Sequence, residues 1–238
     1  MAKKPERKRH IQLTLDQARR PIGHGGWRPG AGRPRTRNGV SHDAREPVSA
    51  DHPQHVTVRL VDGLPSVRNR KLVAELRQCI AKAHRANFRT IEFNIEANHM
   101  HFIIEASDNK ARGRGVQGLK TRLARCVNRY LGRTGKVFAD RYHARTLKTP
   151  REVRLALRYV LNNARHHGID LGRDWIDPSS SAAWFDGWKE PIKPDAWWKR
   201  ELLAEPSPVA KATVWLLRVG WRRHGAIAFD EVPGRQPR

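Results

Sequence analysis

The sequence predicts an α+β fold of the ferredoxin-like, split βαβ kind: one antiparallel sheet with two helices on its apolar face and the opposite face left free. A further helix and a Trp-rich C-terminal extension follow it. Three observations carry this prediction. Four short segments alternate apolar and polar residues with period two, two longer segments between them repeat apolar residues at helical spacing, and the order is strand, helix, strand, strand, helix, strand. A chain of 238 residues suits one core with extensions.

The first strand lies in HVTVRLVDGLP (55–65), where Val56, Val58 and Leu60 face one way and His55, Thr57 and Arg59 the other. In 68–87, Leu72, Val73, Leu76, Cys79, Ile80 and Ala83 form one helical stripe with charges around it. TIEFNIEANHMHFIIEAS (90–107) gives two strands joined at Ala97-Asn98, with Ile91, Phe93 and Ile95 expected to share an apolar face with Met100, Phe102 and Ile104. A second helix is expected over 116–133 on the stripe Leu119, Leu123, Cys126, Val127 and Tyr130, and YHARTLK (142–148) reads as the fourth strand.

The further helix starts at Thr149-Pro150-Arg151-Glu152, a capping box with proline in the first turn, and is expected to run to Gly168. Seven of the eight Trp fall in 169–238. Their expected role is packing, with base stacking beside Arg222, Arg223 and His224 as the alternative. Both cysteines, Cys79 and Cys126, lie on apolar stripes, as reduced buried thiols do.

Charge narrows the function. Lys+Arg number 47 against 23 Asp+Glu, a formal +24 with pI near 11.3, and the mean hydropathy of -0.73 leaves no room for a membrane span. A polyanionic partner, nucleic acid, is the natural consequence. The N-terminus shows no signal-peptide core, so a cytoplasmic, nucleoid-associated protein is expected. Residues 1–50 hold twelve Lys/Arg against four Asp/Glu and almost no periodic apolar residues, which reads as a mobile basic arm ahead of a domain over 51–170 and an extension over 171–238.

Within EANHMHFIIEAS (96–107), His99 and His101 are two apart on a strand and so point to the same face, where two imidazoles can share a metal ion. That face also carries Glu92, Asn94, Glu96, Ile103 and Glu105, an acidic set that suits a cation. Of the three tyrosines, Tyr130 lies on a core stripe and Tyr142 at the start of a strand. Tyr159 differs: it sits beside the core stripe Val153, Leu157, Val160 and Ala164, one turn from Asn163, so a phenol and an amide oxygen can reach one site together.

The His-Met-His strand followed, about sixty residues on, by a helix reading Tyr-Val-Leu-Asn-Asn resembles the HUH single-strand transposases with one catalytic tyrosine, in particular the REP-associated tyrosine transposases. The resemblance covers roughly 53–170 and implies His99 and His101 as metal ligands, Asn163 as the third ligand and Tyr159 as nucleophile. It also implies a metal-dependent single-stranded DNA endonuclease and strand transferase, working through a 5′-phosphotyrosine at hairpin-forming repeats with Mg²⁺ or Mn²⁺, as monomer or homodimer. One departure stands out. Relatives often continue from that Asn with Pro-Val, whereas this chain reads Asn163-Ala164-Arg165-His166-His167. The alternative is a catalytically inactive basic module that binds DNA or RNA. In the arm, Gly32-Arg33-Pro34 with Arg28, Arg35 and Arg37 resembles an AT-hook, which implies minor-groove contact by these arginines; a generic basic linker is the other reading.

Overall fold

Val56 and Val58 are buried while His55 and Thr57 are half-exposed, and this alternation sets strand β1 (Gln54–Arg59) at the middle of a four-stranded sheet. The computed structural model describes residues 46–166 and 172–234, all within one compact unit spanning 39–238. The elements that build the sheet are β1, α1 (Arg70–Ala81), β2 (Phe88–Ile95), β3 (His99–Ala106), α2 (Asn109–Tyr130) and β4 (His143–Thr146). Strand order is β2-β3-β1-β4 with every pairing antiparallel, which is the ferredoxin-like arrangement. Among the described residues no helix is long and apolar enough to cross a membrane.

Three element boundaries differ from the periodicity, each for a visible reason. Helix α1 begins after Asn69, whose side chain accepts from the Lys71 and Leu72 amides, and ends at Ala81 rather than 87 because Arg85 and Phe88 pair their backbones to open β2. Helix α2 starts at Asn109, not 116, because Asp108 caps it by accepting from the Ala111 amide at 2.8 Å. Its first two turns carry Gly113 and Gly115 and so show little apolar stripe. Gly115 is there for closeness: a Cβ would sit 2.1 Å from the Phe88 ring. The next helix, α3 (Pro150–Leu161), has the expected capping box at Thr149 and Glu152 but breaks at Asn162 before a single turn, α4 (Asn163–His166). Asn162 donates its side-chain amide to the Ala228 and Glu231 carbonyls, so its side chain ties the helix end to the C-terminal segment. Gly168 lies outside the described residues.

One face of the sheet is covered by α1 and α2 over a core that includes Val56, Val58, Phe93, Ile95, Met100 and Phe102. The other face is not free, as the alternation suggested. Helix α3 and residues 172–234 cover it with a second core built on Ile103, Val153, Leu157, Val160, Leu216 and Trp221. Ile91 belongs to this second core, not to the face of Phe93 and Ile95. A bulge between Thr90 and Glu92 causes the switch: Thr90 pairs with Ile104 and Glu92 with Ile103, so Ile91 is the extra residue and turns over. Trp221 is 1% exposed and the largest wholly buried side chain, while Trp197 and Trp215 remain exposed.

Candidate active site

Strand β3 lifts His99 and His101 onto the face covered by α3, and their rings stand 4.7 Å apart between centroids. In the β1–β3 register Thr57 lies opposite His101 and His55 opposite Ile103. That brings His55 Nε2 and Thr57 Oγ1 each to 3.1 Å from His101 Nδ1. Both partners engage the same nitrogen, so Nε2 is the one a metal would take. Burial, with His143 and Arg145 close by, lowers the His55 pKa to about 4, so His55 is neutral at pH 7 and its Nε2 can accept the His101 Nδ1–H. His99 is oriented through Nδ1, 2.8 Å from the Asn98 side-chain oxygen.

From the opposite side, α3 lowers Tyr159 against these imidazoles. Its ring centroid is 5.0 Å from His101 and 5.7 Å from His55. Burial, and secondarily the charge of Glu96, raises the Tyr159 pKa above that of an ordinary phenol. Tyr159 lines a cleft of about 340 Å³ with His55, Arg145 and Arg158. These groups suit a phosphate beside the phenol.

Asn163 is fully buried at the start of α4. Its amide nitrogen donates to Glu96 Oε1 at 3.3 Å, and its Oδ1 is buried with no hydrogen-bond partner among the described residues. An amide held by its nitrogen with its oxygen left over has the chemistry of a metal ligand. Among the described residues no three His, Cys, Asp or Glu side chains cluster to hold a metal; imidazole nitrogens and an amide oxygen are donor types a divalent ion accepts.

Glu96 is held in turn. Arg68 donates to Glu96 Oε2 at 3.1 Å and makes a two-pronged bond to Asp177 at 2.8 and 3.1 Å, and Asn94 adds a bond to Asp177 at 3.0 Å. Burial outweighs the Arg68 charge and raises the Glu96 pKa. His99, His101, Tyr159 and Asn163 are thus gathered on one side of the sheet, whereas Arg28, Arg33, Arg35 and Arg37 lie outside the described residues. The supporting groups His55, Thr57, Arg68 and Asp177 were not singled out by the sequence. Alternation alone pointed His55 and Thr57 away from the first core, which is the signal that could have found two of them.

Residues 65–163 match the family model for IS200-like transposases. By this match the segment is similar to IS200-like transposases. The match contains His99, His101, Tyr159 and Asn163 and stops short of the Trp-rich segment. A solved structure of a REP-associated tyrosine transposase bound to a REP hairpin shares the fold, with a TM-score of 0.51 and 17% identity, over 73% of this chain and 99% of that one. A search of curated proteins found no match.

Proposed function

We propose that this domain is a metal-dependent single-stranded DNA endonuclease and strand transferase acting through Tyr159. The observation that carries the reading is the convergence of Tyr159 with His101, ring to ring at 5.0 Å, together with the buried Asn163 bonded to Glu96. His99, His101 and Asn163 would hold a divalent ion, Mg²⁺ or Mn²⁺. When bound, such an ion polarises the scissile phosphate and spreads the charge that develops on it.

A phenol with an ordinary pKa of about 10 attacks poorly at neutral pH, and burial makes Tyr159 still weaker as an acid. The site answers with position. Held above the imidazoles, the Tyr159 oxygen attacks phosphorus, the bond to the 3′ oxygen breaks, the phenolic proton leaves and the 3′ oxygen takes one up. The products are a 5′-phosphotyrosine and a free 3′-hydroxyl, and the reverse attack joins a strand without ATP. Arg158, whose Nε is buried without a hydrogen-bond partner among the described residues, lines the same cleft and can bind the phosphate. Hairpin-forming repeats are the substrate we favour, since the solved relative binds a REP hairpin. Residues 1–50, with a formal charge of +8 (twelve minus four), would add salt-sensitive DNA affinity.

The test is incubation of labelled single-stranded hairpin oligonucleotides with the full chain and Mg²⁺ or Mn²⁺, followed by a denaturing gel. Wild type forms a covalent protein–DNA band that EDTA abolishes. Tyr159→Phe loses the band while binding DNA within about twofold of wild type, because only the attacking oxygen is removed. A band that persists in Tyr159→Phe and vanishes in Tyr142→Phe would overturn the assignment. DNA binding with no band under either metal would leave the inactive module standing instead.

A further inference from the structure

Arg68 also lines a cleft of about 1050 Å³ between the start of α1 and a C-terminal helix, α5 (Trp197–Ala204). Its walls include Arg68, Arg70, Lys71, Tyr130, Trp175 and Trp197. Trp197 is the most exposed large apolar side chain among the described residues, at 57%. An indole left in water beside a cleft is an unused flat apolar surface.

That indole is also held in place. The Arg70 guanidinium lies over its ring at 4.3 Å and is fixed in turn by an ion pair with Glu201. A cation on one side of an aromatic ring, with much of the rest exposed, is a platform on which a further flat group can stack. The formal charge of the lining is modest: Arg68, Arg70, Lys71 and Arg77 against Glu201 and Glu205, four minus two. Aromatic surface with a few cations suits unpaired bases rather than a duplex, whose recognition rests on rows of phosphate contacts.

The cleft is coupled to the candidate active site through one side chain. Arg68 lines it, and the same guanidinium binds Glu96, which holds the Asn163 amide. Trp175, Trp197 and Trp198 all lie beyond residue 163, so every tryptophan lining the cleft is supplied by a part of the chain outside the transposase match.

We infer that this cleft binds unpaired nucleotides of the DNA strand flanking the cleavage point, with a base stacked on Trp197. The inference rests on the reading of DNA as substrate and adds to it a subsite that selects single-stranded flank. Its occupant is unpaired DNA, and Trp197 is a binding residue, not a catalytic one.

The experiment uses the full chain in EDTA, so that binding is measured without cleavage. Two labelled hairpins are compared, one blunt and one carrying an unpaired flank with 2-aminopurine at successive positions. Wild type quenches 2-aminopurine at one or two flank positions and prefers the flanked hairpin. Trp197→Ala loses that quenching and about tenfold in affinity for the flanked hairpin, with the blunt hairpin bound as before. Trp197→Phe retains a ring and stays within about threefold of wild type. Trp215→Ala, which removes another exposed indole, leaves the flanked hairpin unaffected. Equal loss on both hairpins, unchanged quenching in Trp197→Ala, or the same loss in Trp215→Ala would overturn the inference. Quenching that depends on Trp197 together with no covalent band under metal would keep the subsite and remove the phosphotyrosine reading.

Discussion

Under α1 and α2 the sheet presents Val56, Val58, Phe93, Ile95, Met100 and Phe102 to apolar partners, whereas under α3 it buries Glu92, Asn94, Glu96, His101 and Glu105 beside Ile91 and Ile103. The first face is held by area removed from water, which needs no particular partner. The second needs a partner for its polar atoms, and the chain supplies many of them from far away. Arg68 finds Asp177 109 residues on, and Glu105 accepts from the Thr213 and Val214 amides and from Arg89. A face built this way is costly to bury and specific once satisfied. Chemistry needs such a face, because imidazoles, a carboxylate and an amide cannot be fixed by apolar packing alone.

The contrast can be broken most strongly on the apolar side. Phe93→Ala should cost about 3–5 kcal/mol of unfolding free energy in urea melts, since Phe93 is wholly buried and its removal leaves a cavity. The polar face should lose less to one change but in a different currency. Asp177→Ala leaves Arg68 with Glu96 as its one carboxylate and the Ile95 carbonyl, and we expect about 3 kcal/mol of destabilisation. Joint replacement of Arg68 and Asp177 by Met and Leu should recover part of that stability. Equal stability of the single and double variants would show that the pair acts independently of burial.

The change that is smallest per pH unit sharpens the comparison through titration. Burial pushes the Glu92 pKa up from 4.5 to about 8, against the hydrogen bond from Ser181. The folded protein therefore holds a proton that the unfolded chain releases between these values. Its contribution to stability is full below 4.5 and is lost as pH rises through about 8. At most one proton is involved, a slope of about 1.4 kcal/mol per pH unit. Glu92→Gln should flatten the fall in stability between about pH 5 and about pH 8 in paired urea melts. A slope unchanged by the substitution would place the proton elsewhere.

Much of the fold is legible in local pattern. The alternation of Val56 and Val58, the stripe from Leu72 to Ala83, and the box at Thr149 and Glu152 each state their element within a few residues. His99 and His101 declare a shared face by spacing alone, and Tyr159 and Asn163 declare neighbouring turns. The misread points are those where a distant residue intervenes. Phe88 against Gly115 lets α2 begin in a stretch with little stripe, the bulge at Ile91 depends on pairing with β3, and Asn162 breaks its helix while its side chain bonds carbonyls of the C-terminal segment.

The sequence by itself therefore determined the order of elements, the strand faces except at Ile91, and the chemical character of His99, His101, Tyr159 and Asn163, because side-chain direction follows the backbone period wherever no bulge interrupts it. Only the tertiary structure decided that His55 and Thr57 grip one nitrogen of His101, that Arg68 and Asp177 brace Glu96, and that the second sheet face lies under α3 and the Trp-rich segment. Those contacts join residues dozens to more than a hundred positions apart. Periodicity is silent about such pairs: it fixes which way a group points, while the free energy of burying it depends on what arrives from elsewhere to meet it.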